Sequence, residues 1–309
     1  MIFVGAVVVY AGFGRASPVA MDEPAATALP RADASLSPLL ANVSLEVSTR
    51  RPADVDACRD GFAQGSRVYI TSLPGDAPAD TARMAAALAR AGLVPVPHIA
   101  ARRLADPGAA DALLARLAGE AGVTRALVIA GDTDTPAGPF VSAASLLAND
   151  LFARHGFREI GIAGYPEGHP RIDGKTLAAA LAEKLALLDG QSIAAHVVTQ
   201  FCFAADPIRS WLAAYRGAGH AAPVCLGIAG PAGLATLTRY ALRCGIGNSA
   251  RALARHGARL TQLAREATPD ALLVDLAAAP LPGVAGIHLF TFGGVERTAT
   301  WLAKARGLL

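Results

Sequence analysis

From residue 43 onward, short apolar runs rich in strand-forming residues alternate with longer Ala/Leu stretches of helical periodicity. This alternation is typical of repeated βα units, whose successive strands lie parallel. The strand candidates are Val43–Val47, Arg67–Thr71, Val94–Ile99, Arg125–Ala130, Glu159–Gly164, Ala195–Phe201, Pro223–Ile228 and Gly286–Phe292. The helix candidates are Ala79–Ala91, Ala109–Ala121, Ser142–Arg154, Gly174–Leu188, Pro207–Arg216, Pro231–Arg243, Ala250–Glu266 and Arg297–Leu308.

Eight such units predict an α/β fold, a single (β/α)8 TIM barrel over residues 41–309. A doubly wound open sheet is the competing architecture. That sheet normally carries a G-x-G-x-x-G turn after its first strand, whereas Ser48-Thr49-Arg50-Arg51 follows the first strand here. The sequence therefore favours the barrel, whose active site lies at the carboxyl ends of the strands.

Residues 1–40 are expected to form a flexible leader. Ile2 to Gly14 are nearly all apolar, but this run is shorter than the ~20 residues that a membrane-spanning helix needs. No Lys or Arg precedes the run, as one would in a signal peptide. We interpret the segment as a disordered leader or an overlong gene start, with Met21 as a candidate first residue.

Composition narrows the class of function. A hydrophobic content of 53% with 17% charged residues predicts a large core. A net charge of +3 without a basic run argues against nucleic acid as a partner, and no membrane partner is expected. The cysteines lack a C-x-x-C pair, so a reduced cytoplasmic protein without a metal is expected. The predicted partner is a small molecule, with a homo-oligomer left open.

The predicted strands end in carboxylates, imidazoles, hydroxyls and an amide. These residues are Glu46, Thr71, Ser72, His98, Asp132, Asp134, Tyr165, Glu167, His169, Gln200, His288 and Thr291. In a barrel they would converge on one mouth, and such a set suits proton transfer to a bound heterocycle.

Some of these residues have a structural alternative. Glu46 could face solvent, although helices cover the outside of a barrel and an unpaired carboxylate there would be costly. His98 is equally consistent with a core histidine, and Asp132 with a turn or cap. Two glycine-rich segments, Gly245–Ser249 and Phe292-Gly293-Gly294, suit either phosphate binding or plain caps and turns.

Read together, the strand ends resemble the methylenetetrahydrofolate reductase family. The matching pieces are Ser44-Leu45-Glu46, Val68-Tyr-Ile-Thr71, Pro97-His98, Ala130-Gly131-Asp132, Tyr165-Pro-Glu-Gly-His169-Pro170, Thr199-Gln-Phe201 and Gly286-Ile-His288-Leu-Phe290-Thr291. They follow the family's order along the chain. The resemblance implies a TIM barrel that reduces 5,10-methylenetetrahydrofolate to 5-methyltetrahydrofolate, with hydride from NADH or NADPH usually relayed by FAD.

The resemblance also implies roles for individual residues. Glu46 would be the general acid that opens the imidazolidine ring, and Asp132 a second catalytic carboxylate near the pterin. Gln200 and Phe201 would bind the substrate. The positions that match cofactor contacts are Thr71, His98, Gly131, Asp132, Tyr165, His169 and Lys184.

The chain departs from the family pattern at several cofactor positions. Ala130 stands where the family has an Arg close to the flavin phosphates, and Leu234 replaces an aromatic residue. The family's Lys contact on the helix after the Tyr-Pro-Glu loop is not cleanly matched, with Lys184 as a shifted candidate and Lys175 as another. Direct hydride transfer from NADH to the folate therefore stays open.

Two further functions are open at this stage. One is a folate- or corrinoid-linked methyltransferase that uses Cys202, Cys225 and Cys244 as metal ligands. The other is a non-catalytic folate-binding paralogue.

Overall fold

A computed structural model of the chain describes residues 37–244, 246 and 266–307. Its strands are β1 Val43–Ser48, β2 Arg67–Thr71, β3 Val94–Ala100, β4 Arg125–Ile129, β5 Glu159–Gly164, β6 Ala194–Cys202, β7 Val224–Ala229, β8 Ala232–Gly233, β9 Glu266–Ala267 and β10 Val284–Phe290. Strands β1 to β7 and β10 pair in parallel, and β10 closes on β1 to complete an eight-stranded barrel. The predicted TIM barrel is confirmed.

Helices follow the strands on the outside of the barrel. They are α1 Ser37–Ala41, α2 Asp54–Gly61, α3 Pro78–Arg90, α4 Pro107–Ala121, α5 Ala143–Leu147, α6 Leu151–Arg154, α7 Gly174–Gly190, α8 Ala205–Gly217, α9 Leu234–Arg243, α10 Asp270–Ala277 and α11 Val295–Ala305. A 3-10 turn, Ala101–Arg103, follows β3. None of the helices in the described ranges is long and apolar enough to cross a membrane.

The elements differ from the sequence predictions in a few places. Helices α2 and α10 were not predicted, and the predicted helix Ser142–Arg154 is divided into α5 and α6. Helix α1 begins inside the range assigned to the leader, whereas residues 1–36 lie outside the described part of the chain. Of the predicted helix Ala250–Glu266, only Glu266 lies in the described part of the chain. Of the glycine-rich segment 245–249, only Ile246 does.

Both faces of the barrel strands are buried, which explains their near-continuous apolar pattern. On β1 and β2, Leu45, Val47 and Ile70 belong to the core between the strands and the outer helices. The alternate residue Tyr69 faces the barrel interior, where it clusters with Leu127 and other side chains. Because successive residues of a strand point to opposite faces, this register also directs Glu46 inward.

An ionic network with a buried histidine and partly exposed arginines lies in the barrel interior near the amino ends of the strands. The Glu159 carboxylate accepts hydrogen bonds from Arg67 Nη1 at 2.7 Å and Arg125 Nε at 2.9 Å, and lies 2.9 Å from His196 Nδ1. His196 Nε2 is 2.7 Å from the Tyr69 hydroxyl. Burial alone would raise the pKa of Glu159, but His196 and the two arginines lower it to about 2. This network occupies the barrel interior at the end opposite the carboxyl ends of the strands.

Helix α1 packs at the amino end of the barrel. Leu39 and Leu40 are buried there. Arg306 Nη2 donates a hydrogen bond to the Leu40 carbonyl at 2.6 Å, and Asn42 Nδ2 donates to the Ala285 carbonyl at 3.1 Å. Both ends of the described chain are therefore fixed to the face opposite the carboxyl ends of the strands.

Candidate active site

A cavity of about 580 Å³, including its opening to solvent, lies at the carboxyl ends of the barrel strands. Its apolar wall is formed by Leu127, Ile129, Val198, Phe201 and Phe290. Its polar groups come from Glu46, His98, Tyr165, His169, Gln200 and His288. We call it the ring cavity, because a mostly apolar pocket with a few converging polar groups suits a flat heterocyclic ligand.

Glu46 lies in the ring cavity with its side chain 3% exposed. Neither of its carboxyl oxygens has a hydrogen-bond partner, and His288 Nε2 lies 3.7 Å from Oε2. Burial raises the pKa of Glu46 to about 8, because the charged form loses its solvation. The group therefore carries a proton at neutral pH and can act as a general acid.

Two neutral histidines accompany this acid. Burial, with a smaller contribution from His196, lowers the pKa of His288 to about 3, and His288 Nδ1 lies 3.0 Å from Ser44 Oγ. Burial, followed by the effect of His288, lowers the pKa of His98 to about 3. The Nε2 atom of His98 is buried without a hydrogen-bond partner. Neither ring competes with Glu46 for a proton at neutral pH.

Gln200 reaches the ring cavity from an irregular part of β6. The pairing of β6 with β7 shifts register between Val198 and Phe201. Thr199 Oγ1 stabilises this irregularity by donating to the Gln200 carbonyl at 3.0 Å and accepting from the Gly227 amide at 2.8 Å. The Gln200 side-chain oxygen accepts from the Glu167 amide at 3.1 Å, which fixes the orientation of the amide group.

The loop after β5 brings Tyr165 and His169 to the same cavity. Their ring centroids are 5.9 Å apart in an edge-on arrangement. His169 Nδ1 accepts a hydrogen bond from the Arg171 amide at 3.2 Å, and His169 Nε2 is buried without a partner. Burial raises the pKa of Tyr165 and lowers that of His169, so both rings are neutral at neutral pH.

Phe201 belongs to the aromatic wall of the ring cavity. Its ring centroid lies 5.4 Å from that of Phe290 and 4.9 Å from that of Phe292. The predicted substrate contact thus lines the cavity, but its side chain is also part of a packed aromatic cluster.

Four of the residues proposed for the site do not line the ring cavity. Thr71 Oγ1 donates to the Val47 carbonyl at 3.1 Å, and Asp132 forms an ion pair with Arg103. Gly131 has φ +96°, a left-handed conformation that favours glycine. Lys184 is buried on α7, and burial lowers its pKa to about 8. The contacts with the flavin that the resemblance implied are therefore only partly assembled, by His98, Tyr165 and His169.

The glycines after β10 have a structural explanation. A Cβ atom at Gly293 would lie 2.0 Å from the Pro231 carbonyl oxygen, so this position needs glycine for close backbone packing. Gly294 has φ +103° directly before α11. The structure thus supplies a reason for both glycines without a bound phosphate.

A second cavity, of about 1040 Å³ including its opening, lies over the loops that follow β2, β3 and β4. We call it the arginine cavity, because the consecutive residues Arg102 and Arg103 line it together with Thr133. Arg102 supports the β4 loop by donating to the Thr133 and Val141 carbonyls at 2.9 and 3.0 Å. Arg103 was not predicted as a site residue, although two consecutive arginines directly after a strand indicate positive charge at the strand's carboxyl end.

The described residues do not support a metal centre. None of them form a group of three His, Cys, Asp or Glu side chains able to hold a metal ion. Cys244 lines the ring cavity, whereas Cys225 lines a pocket at the amino ends of the strands. The cysteine ligands considered for a methyltransferase are therefore not gathered at one point.

The described part of the ring cavity offers no cation to the phosphates of a flavin dinucleotide. No Lys or Arg is among the described side chains that line it, and Lys184, the shifted candidate for a cofactor contact, is not among them either. The carboxylate of Asp132 is engaged by Arg103. The ring cavity thus suits a neutral ring, and we assign no chemical step to FAD.

The solved structures that are similar to this chain have low sequence identity and TM-scores below 0.5. No protein-family model matches the chain. Tryptophan synthase from M. tuberculosis is 14% identical with a TM-score of 0.46, and the match covers 89% of this chain and 96% of that one. A GH18 chitinase from Pseudoalteromonas aurantia is 12% identical with a TM-score of 0.47, covering 85% and 99%. Dihydropteroate synthase from Thermus thermophilus is 15% identical with a TM-score of 0.43, covering 87% and 96%. The fold assignment depends on the strand order itself.

Proposed function

We propose that the protein is a methylenetetrahydrofolate reductase that uses NADH or NADPH. The observation that carries the proposal is the common position of a buried carboxyl group, Glu46, and an oriented amide, Gln200, in one cavity, where burial raises the pKa of Glu46 to about 8. An acid of raised pKa suits protonation of a ring nitrogen, and an amide suits recognition of the pterin edge.

In the proposed reaction, the Glu46 proton goes to the nitrogen that leaves the methylene carbon. That carbon–nitrogen bond breaks with its electron pair on the nitrogen, and the other nitrogen forms an iminium with the methylene group. A hydride from the dihydronicotinamide then adds to the iminium carbon and gives the methyl group and oxidised nicotinamide. Glu46 regains a proton from solvent, so one proton and one hydride are consumed in each turnover.

The surroundings of Glu46 suit this sequence. Because the carboxyl group is neutral before transfer and negative after it, the anion left behind would stabilise the neighbouring iminium cation. The neutral side chains His98 and His288 add no opposing positive charge at neutral pH. Positioned general acids of this kind typically contribute about 10²- to 10⁴-fold in rate.

The first test is an anaerobic assay of NADH and NADPH oxidation with methylenetetrahydrofolate, with and without added FAD. We expect turnover that yields methyltetrahydrofolate and falls by about 10²-fold or more in Glu46→Gln. Glu120→Gln, an exposed carboxylate on α4, is the matched control. Absence of turnover under all conditions would reject the proposal.

Binding measurements distinguish the enzyme from a non-catalytic folate-binding paralogue. A paralogue would bind tetrahydrofolate and show the same lack of turnover in the wild type and in Glu46→Gln. The visible spectrum of the pure, active protein then decides the hydride route. A stoichiometric flavin band indicates relay through FAD, and a colourless active protein indicates direct transfer.

A further inference from the structure

The arginine cavity adjoins the ring cavity. His98, at the end of β3, lines both of them. The arginine cavity extends from His98 toward the start of α3, where Pro78 and Thr81 line it. A ligand whose ring occupies the ring cavity could therefore extend a tail past His98 into the arginine cavity.

Three buried polar atoms without hydrogen-bond partners belong to residues that line the arginine cavity. They are His98 Nε2, Arg103 Nε and Thr133 Oγ1. Native proteins leave few buried polar groups unsatisfied, so Arg103 Nε and Thr133 Oγ1, on two residues that line the same cavity, point to a partner that the described residues do not supply. An arginine N–H and a threonine hydroxyl both donate hydrogen bonds, and a group rich in oxygen acceptors would satisfy them.

The guanidinium group of Arg103 is held in place before any ligand binds. Its Nη1 donates to the Ser72 carbonyl at 2.6 Å, and its Nη2 pairs with Asp132. The side chain is only 17% exposed. Nε, which has no partner, is thus fixed in orientation, and a fixed charged donor binds an anionic oxygen at a low cost in side-chain entropy.

The start of α3 adds a second favourable element. Its N-cap is Ala77, which offers no side-chain acceptor. Pro78 has no N–H and the Asp80 and Thr81 amides donate to the Ala77 carbonyl, so the Ala79 amide and the helix dipole are what this end offers an anion. The carboxylate of Asp76 also lines the cavity, but it accepts from the Leu73 amide at 2.8 Å and pairs with Arg50 Nε at 3.0 Å.

We propose that the arginine cavity binds the anionic tail of the ligand whose ring lies in the ring cavity. The shared chemistry is a phosphate or carboxylate that accepts hydrogen bonds from Arg103 and Thr133. Two sources are compatible with the proposed function, on which this inference depends: the phosphates of the nicotinamide dinucleotide and the glutamate tail of the folate.

Direct binding measurements test the assignment without relying on turnover. Dissociation constants are measured by calorimetry for NADH against N-benzyl-1,4-dihydronicotinamide, and for tetrahydrofolate against 6-methyltetrahydropterin. In each pair only the first compound carries the anionic tail. We expect Arg103→Gln to weaken one tailed compound about 10- to 100-fold, the range for a lost charged hydrogen bond, and to leave both tailless compounds within about twofold.

The matched control is Arg83→Gln, which removes the same charge from the exposed face of α3 and should change no dissociation constant. Because Arg103→Gln leaves Asp132 without its ion pair, a second variant, Thr133→Val, tests the cavity with every ion pair intact. We expect Thr133→Val to weaken the same tailed compound about three- to tenfold.

The two pairs of compounds identify which ligand supplies the anion. Selective loss of NADH binding assigns the cavity to the dinucleotide phosphates, and selective loss of tetrahydrofolate binding assigns it to the glutamate tail. If Arg103→Gln and Thr133→Val change neither tailed compound, or weaken tailed and tailless compounds equally, the assignment is wrong. If tail-dependent binding is found but methylenetetrahydrofolate is not reduced, the assignment stands and the proposed reaction fails.

Discussion

Replacing Glu46 by Gln separates the chemical role of the carboxyl group from its cost to the fold. The amide has nearly the shape of the protonated carboxyl group but cannot ionise. In the wild type, the pKa of Glu46 rises from 4.5 to about 8 on folding because of burial. A group of raised pKa contributes stability below its unfolded pKa, and this contribution is lost as the pH rises through the folded value.

The loss of unfolding free energy can be calculated from the pKa shift of Glu46. One pKa unit corresponds to about 1.4 kcal/mol, so full ionisation of Glu46 would cost about 5 kcal/mol of unfolding free energy. Between about pH 5 and pH 8 the wild type should lose about 3 to 4 kcal/mol through this group. Glu46→Gln should not show this loss.

Denaturant unfolding at a series of pH values measures the difference in unfolding free energy between Glu46→Gln and the wild type. The free energy of unfolding of Glu46→Gln, minus that of the wild type, should rise with pH across this window, whereas Glu120→Gln should run parallel to the wild type. If the proposed reductase activity is present, it should fall as the pH rises past about 8, since Glu46 then lacks its proton. A difference that stays constant with pH would refute the idea that Glu46 is buried in its protonated form.

Three other predictions concern the same molecule. Gln200→Ala removes the acceptor of the Glu167 amide and should weaken tetrahydrofolate about tenfold in calorimetry, with the melting temperature little changed. Glu159→Gln should cost about 1 to 2 kcal/mol in denaturant unfolding at neutral pH, because it leaves the partly exposed Arg67 and Arg125 unpaired. That cost should vanish as the pH falls below 4.5 toward about 2, where the wild-type carboxylate becomes protonated. Gly161→Ala places a Cβ atom 2.7 Å from His196 Nε2 and should destabilise the protein by about 2 kcal/mol in the same assay.

Much of the barrel could be predicted from the sequence, because burial on both faces gives each strand a distinct apolar run. The bounds of β2 and β5 agree with the predicted segments at both ends. Helix α2 was missed because its sequence is acidic and has few apolar residues. Its position depends on close packing against α11, since a Cβ atom at Gly61 would lie 2.3 Å from Ala299 Cβ. Such a contact between distant segments leaves no local pattern.

The site was predictable where a strand end decides the direction of a side chain. Glu46, His98 and Gln200 are strand residues, and all three line the ring cavity. Lys184 lies on a helix, where each residue turns by about 100°, so a shift of one position changes the face that it occupies. Arg103 follows a strand in a 3-10 turn, and only the fold reveals that this turn borders a cavity.

The clasp between Arg306 and the Leu40 carbonyl has a practical consequence. Both ends of the described chain lie at the amino ends of the barrel strands. A linker attached near Gly307 would therefore start on the side of the barrel opposite the ring cavity. The protein can thus be anchored to a sensor chip or joined to a reporter with its working face turned toward the bulk solution. Surface-based titrations of small ligands then become a natural format for this scaffold.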